Sequence, residues 1–350
     1  MADPELLEAI KKVAPGTPLR EALDNIIRAR TGALLVLGDG PKIMDLVDGG
    51  VRLDAEFTPS LLYEVAKMDG AIILDRNVER VVYANASLWP RKEIPSQERG
   101  IRHRTGERVA IQTGEVVVAI SQRRNVVTLY KGQCRYVLRD IEFILAKANQ
   151  ALQTLSHYRS AVDKVIRDLD HAEMESSVCL GDVASVLRRL EMLWRIVEDI
   201  ERYVVELGSE GHLVKMQVDE MVGDLWTEHS MIIRDYTLSD ASPEETIREY
   251  RSHAEDVPQA SHITESLGYS IRADYLSLPV SPKGHRALRR VPRLPGYARE
   301  NLVRAYGNLL NIMKATPQEL DRVDGIGEAR AKAISQGLSR FRREAGPSAN

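Results

Sequence analysis

Residues 69–88 read DGAIILDRNVERVVYANASL, and the alternation within them decides the class of the first part of the chain. Two short apolar, β-branched runs, Ala71–Leu74 and Val81–Ala84, are separated by turn-forming Asp, Asn and charged residues, which is the pattern of strands rather than helices. Working outward, Ala33–Leu37, Val116–Ile120, Val126–Leu129 and Arg135–Leu138 are runs of the same kind. Residues 3–13 and 18–29 instead have helical spacing. Thr58-Pro59 followed by SLLYEVAKM predicts a capped helix that ends at the Asp69-Gly70 turn. The first 140 residues are therefore expected to form an α/β domain around a central mixed sheet.

Past Asp140 the strand signals stop. Val186, Leu190, Leu193, Val197, Ile200, Val204 and Leu207 recur at steps of three and four until Gly208, which predicts a long amphipathic helix whose apolar stripe serves a bundle core. Residues 239–261 are polar and are expected to form a solvated helix between loops.

Charge divides the chain in the same places. The net charge of −3 is the balance of +2 over residues 1–140, −13 over 141–280 and +8 over 281–350. A basic end behind an acidic middle argues for three units with separate jobs, at 1–140, 141–284 and 285–350, of which only the last resembles a polyanion binder. With 350 residues, 43% of them hydrophobic, each has material for a core. Two cysteines, Cys134 and Cys179, are too few for a disulfide framework or a cysteine zinc site. The opening MADPELLEAIKK lacks a signal pattern and no apolar run nears the roughly 20 residues of a membrane span, so a cytoplasmic protein without membrane contact is expected.

Two features carry chemistry. Asp69-Gly70-Ala71 places a carboxylate on a glycine turn, where a ligand can come close to the backbone and a hard cation such as Mg²⁺ or Mn²⁺ finds an oxygen ligand. Alone, Asp-Gly is also an ordinary turn. Arg102-His103-Arg104-Thr105 follows Gly100 at the expected start of a helix closing at Gly114, so guanidinium, imidazole and hydroxyl donors join helix amides that favour anions. A basic tetrapeptide elsewhere would read as solvated surface.

In the C-terminal part, Leu294-Pro295-Gly296-Tyr297-Ala298 and Val323-Asp324-Gly325-Ile326-Gly327 lie 29 residues apart, each between short helical stretches. The repeat resembles a tandem helix-hairpin-helix module, with hairpins at 285–305 and 317–340. In such a hairpin the glycine turn offers backbone amides to a DNA phosphate without reading a base. Gly296, Gly325 and Gly327 are the central positions, with Arg293, Arg299, Arg330 and Lys332 as flanking cations. Ala298 stands where the first hairpin would carry its second glycine.

The combination of DGAIILD at 69–75, VVYANASLWP at 81–90, GIRHRTGERVA at 100–110 and VVVAISQRRNVVTLY at 116–130 closely resembles the diadenylate cyclase domain. With the helical middle and the hairpins, the whole chain is similar to the bacterial DNA-integrity-scanning family. The resemblance implies condensation of two ATP molecules to cyclic di-adenosine monophosphate with release of two pyrophosphates, between subunits of a homo-oligomer that is an octamer, damped by branched DNA such as a Holliday junction. It implies Asp69 as metal ligand and helper of the 3′-hydroxyl, and Arg102 and His103 with it as the catalytic set. Gly70 and Ala71 shape the turn; Arg102, His103 and Thr105 hold the triphosphate; Arg104 joins them or braces the loop. Leu88 matches a position whose backbone reads the adenine, and Ser121, Arg123 and Arg124 lie where the base and the pocket mouth are lined. Two positions depart from the family: Ile101, commonly Thr, and Gly106, commonly Ala. The lost hydroxyl at Ile101 removes one hydrogen bond beside the phosphates, worth about 1 kcal/mol.

The alternatives are a non-catalytic ATP-holding binder of DNA structures and a repair scaffold. No Walker-type GxxxxGK[ST] is present, no dense carboxylate cluster suits two-metal hydrolysis, and no Ser/His/Asp or Cys/His arrangement competes.

Overall fold

The computed structural model describes residues 4–253 and 257–345. Residue 3 of the first expected helix, residues 254–256 of the expected polar helix, and the chain ends 1–2 and 346–350 lie outside the described residues. The chain forms two compact units: residues up to Gln150 with Asp199–Met216, and Ala151–Glu198 with the residues from Gln217 on. Compactness thus assigns 199–216 to the N-terminal unit, a grouping that neither charge nor periodicity along the chain reveals.

The N-terminal unit is an α/β domain. Its helices are α1 (Pro4–Lys12), α2 (Pro18–Arg28), α3 (Pro41–Met44), α4 (Pro59–Val65) and α5 (Ile101–Thr113). Its strands are β1 (Ala33–Leu37), β2 (Val47–Asp48), β3 (Val51–Glu56), β4 (Ala71–Leu74), β5 (Arg80–Leu88), β6 (Val116–Ser121), β7 (Val126–Lys131) and β8 (Cys134–Val137). The sheet order is β2-β5-β4-β1-β6-β7-β8, with β3 also on β5, and only β1 and β4 run parallel. The mixed sheet is as expected. Thr58 caps α4 by accepting a hydrogen bond from the Leu61 amide, but the helix ends at Val65 rather than at the Asp69 turn.

Alternation along β1 explains the layering. Leu35 and Leu37 face a core with Leu23 and Ile26 of α2 and Leu62 of α4. Leu34 and Val36 face the opposite core with Val109 and Ala110 of α5 and Ile43 of α3. Gly106 lets α5 lie close to the sheet, because a Cβ there would stand 3.0 Å from Leu34 Cδ1 and 3.3 Å from Val117 Cγ1.

The rest of the chain beyond the sheet domain is helical, so the fold class stands: an α/β domain followed by an all-α remainder. α6 (Ile141–Glu175) and α7 (Leu180–Leu207) are followed by α8 (His212–Val222), α9 (Leu225–Tyr236), α10 (Pro243–Ser252) and α11 (Ala260–Ser266). The expectation of a solvated helix over 239–261 needs correction: Ile247 and Tyr250 of α10 are buried. The Tyr250 hydroxyl donates to Glu191 at 3.1 Å, and Arg251 donates to the same carboxylate at 2.7 Å. One face of this polar helix is buried with its polar groups satisfied, while the opposite face stays in solvent.

The C-terminal hairpins are α12 (His285–Arg289) with α13 (Gly296–Tyr306), and, after α14 (Leu309–Lys314), α15 (Pro317–Leu320) with α16 (Glu328–Ala345). Leu288, Leu302, Ile312, Leu320, Ile334 and Leu338 form their shared core. Arg286 of α12 is 1% exposed and donates to Asp170, to Glu173 at 2.6 Å and to Glu228 at 2.8 Å.

Candidate functional site

The strand registers gather the candidate residues at one end of the sheet. Leu34 pairs with Ala71, Ala33 with Ile120, and Ala71 with Ala86. The starts of β1 and β4 therefore lie beside the ends of β5 and β6, and the N-terminus of α5 packs over the same edge.

Gly70 is required there. Its φ is +95°, and a Cβ would stand 2.9 Å from the Asn85 carbonyl carbon and 3.0 Å from the Ala86 oxygen, so only glycine turns this tightly against β5. Its amide donates to Asp69 Oδ1 at 3.0 Å, which aims the carboxylate outward with 99% of the side chain exposed. Arg102 Nη2 stands 3.8 Å from the same oxygen.

Two clefts meet at Ile101 and Arg102. One, of about 790 Å³, is lined by Asp69, Gly70, Ala71, Leu88, Trp89, Lys92, Arg104, Thr105 and Arg108. The other, of about 500 Å³, is lined by Glu98, His103, Ser121, Arg123, Arg124 and Arg135. The structure thus brings every sequence-predicted residue of the N-terminal site to one edge but divides them: Asp69, Gly70, Ala71, Leu88, Arg104 and Thr105 on one side, His103, Ser121, Arg123 and Arg124 on the other, with Ile101 and Arg102 shared.

The basic cleft suits an anion for three reasons. Gly100 begins α5 with no side-chain cap, so the first amides of a 13-residue helix face outward with the positive end of its dipole. Five arginines line it: Arg99, Arg102, Arg123, Arg124 and Arg135. Burial, helped by the charges of Arg102, Arg135 and Arg124, holds the His103 imidazole below its usual pKa, against the pull of Glu98. His103 is therefore neutral at pH 7 and ready to gain a proton when negative charge arrives.

Glu98 and Arg135 were not found by sequence reasoning. Burial pulls the Glu98 carboxyl up, but hydrogen bonds from Arg135 at 2.7 Å and Tyr130 at 2.8 Å, with the Arg135 and His103 charges, outweigh it and leave it below the usual range. Arg104 braces rather than joins the cluster, donating to the carbonyls of Glu98 at 3.2 Å and Arg99 at 3.4 Å. Arg108 ties Ile94 to α5 in the same way at 2.8 Å. Ile101 is 83% exposed and offers no polar side-chain atom.

The site also bears on metal binding. Among the described residues no group of three or more His, Cys, Asp or Glu side chains could hold an ion. Asp69 offers a single exposed carboxylate beside the basic cleft, which fits a divalent ion that takes its other ligands from phosphate oxygens and water.

In the hairpin module the two turns are adjacent. The Tyr297 ring lies so close to Gly325, whose φ is +80°, that a Cβ there would stand 2.5 Å from ring carbon Cε2. Arg330 donates to the Gly325 carbonyl at 2.7 Å and to the Tyr297 hydroxyl at 3.3 Å, so it fixes the turn. Lys332 pairs with Glu328 at 2.6 Å, while Arg293 is exposed and Arg299 half-buried. A Cβ at Gly327 would meet no atom of the chain within 4 Å.

Two family models match: the DisA bacterial checkpoint controller nucleotide-binding region over residues 20–134 and the DisA bacterial checkpoint controller linker region over residues 138–276. The chain is 50% identical over 347 residues to the DNA integrity scanning protein DisA of Carboxydothermus hydrogenoformans, covering 98% of this chain and 99% of that one. It is 49% identical to the protein of the same name from Symbiobacterium thermophilum, covering 96% of each. That from Acetivibrio thermocellus is 48% identical, with 98% of this chain and 96% of the other aligned. A sheet edge built around Asp-Gly-Ala and Arg-His-Arg, and identity of this order along nearly the full length, lead to one conclusion: the chain belongs to the DisA family of DNA integrity scanning proteins and is a diadenylate cyclase.

Proposed function

We propose that the chain joins two ATP molecules into cyclic di-AMP across a pair of facing subunits, each holding one ATP, and releases two pyrophosphates. The carrying observation is the meeting of two clefts at Arg102, one beside the lone carboxylate of Asp69 and the other lined by arginines and His103. Adenosine occupies the first cleft against Ala71 and the Leu88 backbone, with Thr105 beside it. The β- and γ-phosphates occupy the second, held by the α5 amides, His103, Ser121, Arg123 and Arg124.

This division places the α-phosphate near Arg102. The 3′-oxygen of one ATP then forms a bond to the α-phosphorus of the other, the bond to pyrophosphate breaks, and the proton leaves the 3′-hydroxyl toward Asp69 or solvent. Alignment and charge neutralisation are what such a transfer needs, so positioned cations matter more than a nucleophilic side chain. Mg²⁺ or Mn²⁺ at Asp69 would supply charge neutralisation at the phosphates and acidify the 3′-hydroxyl. Arg102 and His103 balance charge on the leaving side, and Arg104 and Arg108 hold the 91–100 loop against α5.

The hairpin module binds branched DNA such as a Holliday junction through phosphates, and its occupancy lowers cyclase output from a homo-octamer working in the cytoplasm. The open space in front of Gly327 and the exposed Arg293 support a phosphate approaching the turns. Domain boundaries at 140 and 284 separate these tasks. The test is product analysis with and without a four-way junction: a fall in cyclic di-AMP on adding it supports the coupling, and unchanged output removes it.

A further inference from the structure

Trp89 follows Leu88 at the end of β5 and, as a residue, is 63% exposed at the rim of the Asp69 cleft. An indole in water is unfavourable, and the usual resolutions are missing. The ring makes no hydrogen bond or ring contact among the described residues, whereas the chain's other two tryptophans, Trp194 and Trp226, pack edge to face at 5.4 Å. The main chain beneath it is fixed: the Trp89 amide donates to the Leu46 carbonyl at 3.0 Å, and Leu88 pairs with Val47. A rigid backbone therefore presents a free aromatic plane at the cleft that Leu88 also lines.

The rest of the cleft sets the occupant's chemistry. Leu34, Ala71 and Leu88 contribute apolar surface, and Trp89 is its only aromatic residue. A flat purine fits such a surface, because a base stacks on an indole whatever its hydrogen-bonding edge. Resting on the ATP-binding reading above, we propose that Trp89 stacks on the adenine of the bound ATP and so sets affinity for the nucleoside end, while the basic cleft grips the phosphates.

The test uses the full-length protein and the variants Trp89→Phe and Trp89→Ala. ATP is titrated without divalent metal, binding is followed by calorimetry and indole emission by fluorescence, and tripolyphosphate serves as a probe that carries no base. Stacking predicts saturable quenching by ATP in the unaltered protein, none by tripolyphosphate, and loss of the quench in Trp89→Phe although calorimetry still shows binding. In turnover with metal, Trp89→Ala should raise KM for ATP about 10-fold, with kcat much less affected and Trp89→Phe intermediate. ATP binding without quenching, an unchanged KM in Trp89→Ala, or a variant altered in assembly size but not in KM would each overturn the stacking while leaving the nucleotide site intact. Failure of the unaltered protein to bind ATP by calorimetry would instead overturn the site itself, and the stacking with it.

Discussion

Replacing Gly32 by alanine would disturb Arg102 without altering a charged residue. Gly32 immediately precedes β1, its φ is not in the left-handed region, and a Cβ built there falls on the Arg102 guanidinium, with the Ile120 carbonyl oxygen 3.0 Å away. An ordinary carbon contact of about 3.5 Å requires the guanidinium to move by roughly 1.5 Å, away from its place beside Asp69. Misplacement of about 1 Å at a reacting centre can lower a rate by about 10²-fold. Stability should change little, since the far end of a long, flexible side chain gives way easily, and the gain of about 0.4–1 kcal/mol from a less flexible unfolded chain offsets the tight contact with Ile120. The expected outcome for Gly32→Ala is a kcat/KM for cyclic di-AMP synthesis down by about 10- to 100-fold, with thermal unfolding and junction binding nearly unchanged. A well-folded variant with full kcat/KM would refute the placement of Arg102 at the reacting phosphate.

Asp69→Asn keeps the shape of the turn but removes the charge, so product formation should fall by at least about 10²-fold while DNA binding persists, checked by chromatography and a junction-binding assay. Burial and neighbouring arginines hold the His103 pKa below its usual value and an arriving triphosphate raises it, so ATP binding near pH 6 should take up protons, measured by calorimetry in two buffers of different ionisation enthalpy. The uptake should vanish in His103→Gln. Arg286→Met strands Glu173 and Asp170 in the interior and should cost about 3–5 kcal/mol at neutral pH. Burial already pushes the Glu173 carboxyl up to about 7 against the pull of Arg286, and losing that cation raises it further. The folded variant then holds a proton that the unfolded chain releases, so its stability falls as pH rises through the folded pKa, and urea melts should show a smaller deficit at about pH 5 than at about pH 8.

What could be read from the chain and what could not follows from burial. β1 and β4 are apolar on both faces and announce themselves, down to their first and last residues. β3, VRLDAE, is an exposed edge strand pairing only with β5, and its charged alternation hides it. The Asp69 turn and the start of α5 were legible because glycine, capping positions and clustered cations are local signals. Glu98 and Arg135 stand 37 positions apart and meet only through the β7–β8 pairing and the loop before α5, so no local signal marks them. Arg286 reads as one more cation of a basic segment, yet it is enclosed by three carboxylates supplied from α6 and α9. The charge tally counted it toward the basic end, but packing uses it inside the protein.

The division of the candidate residues between the two clefts was likewise beyond sequence. Arg-His-Arg looks like one cluster on paper, but helical rotation turns His103 toward Ser121 and Arg124, and Arg104 toward the other cleft and the Glu98 and Arg99 carbonyls. Of these three, Arg102 alone lines both clefts.

The most direct test of the account is incubation of the full-length protein with ATP and either Mg²⁺ or Mn²⁺, with products resolved by mass. The account predicts cyclic di-AMP with two pyrophosphates for each molecule formed, absent in Asp69→Asn. ATP left unchanged with both metals, by a protein that binds it, would contradict cyclase action and leave a nucleotide-holding binder of DNA.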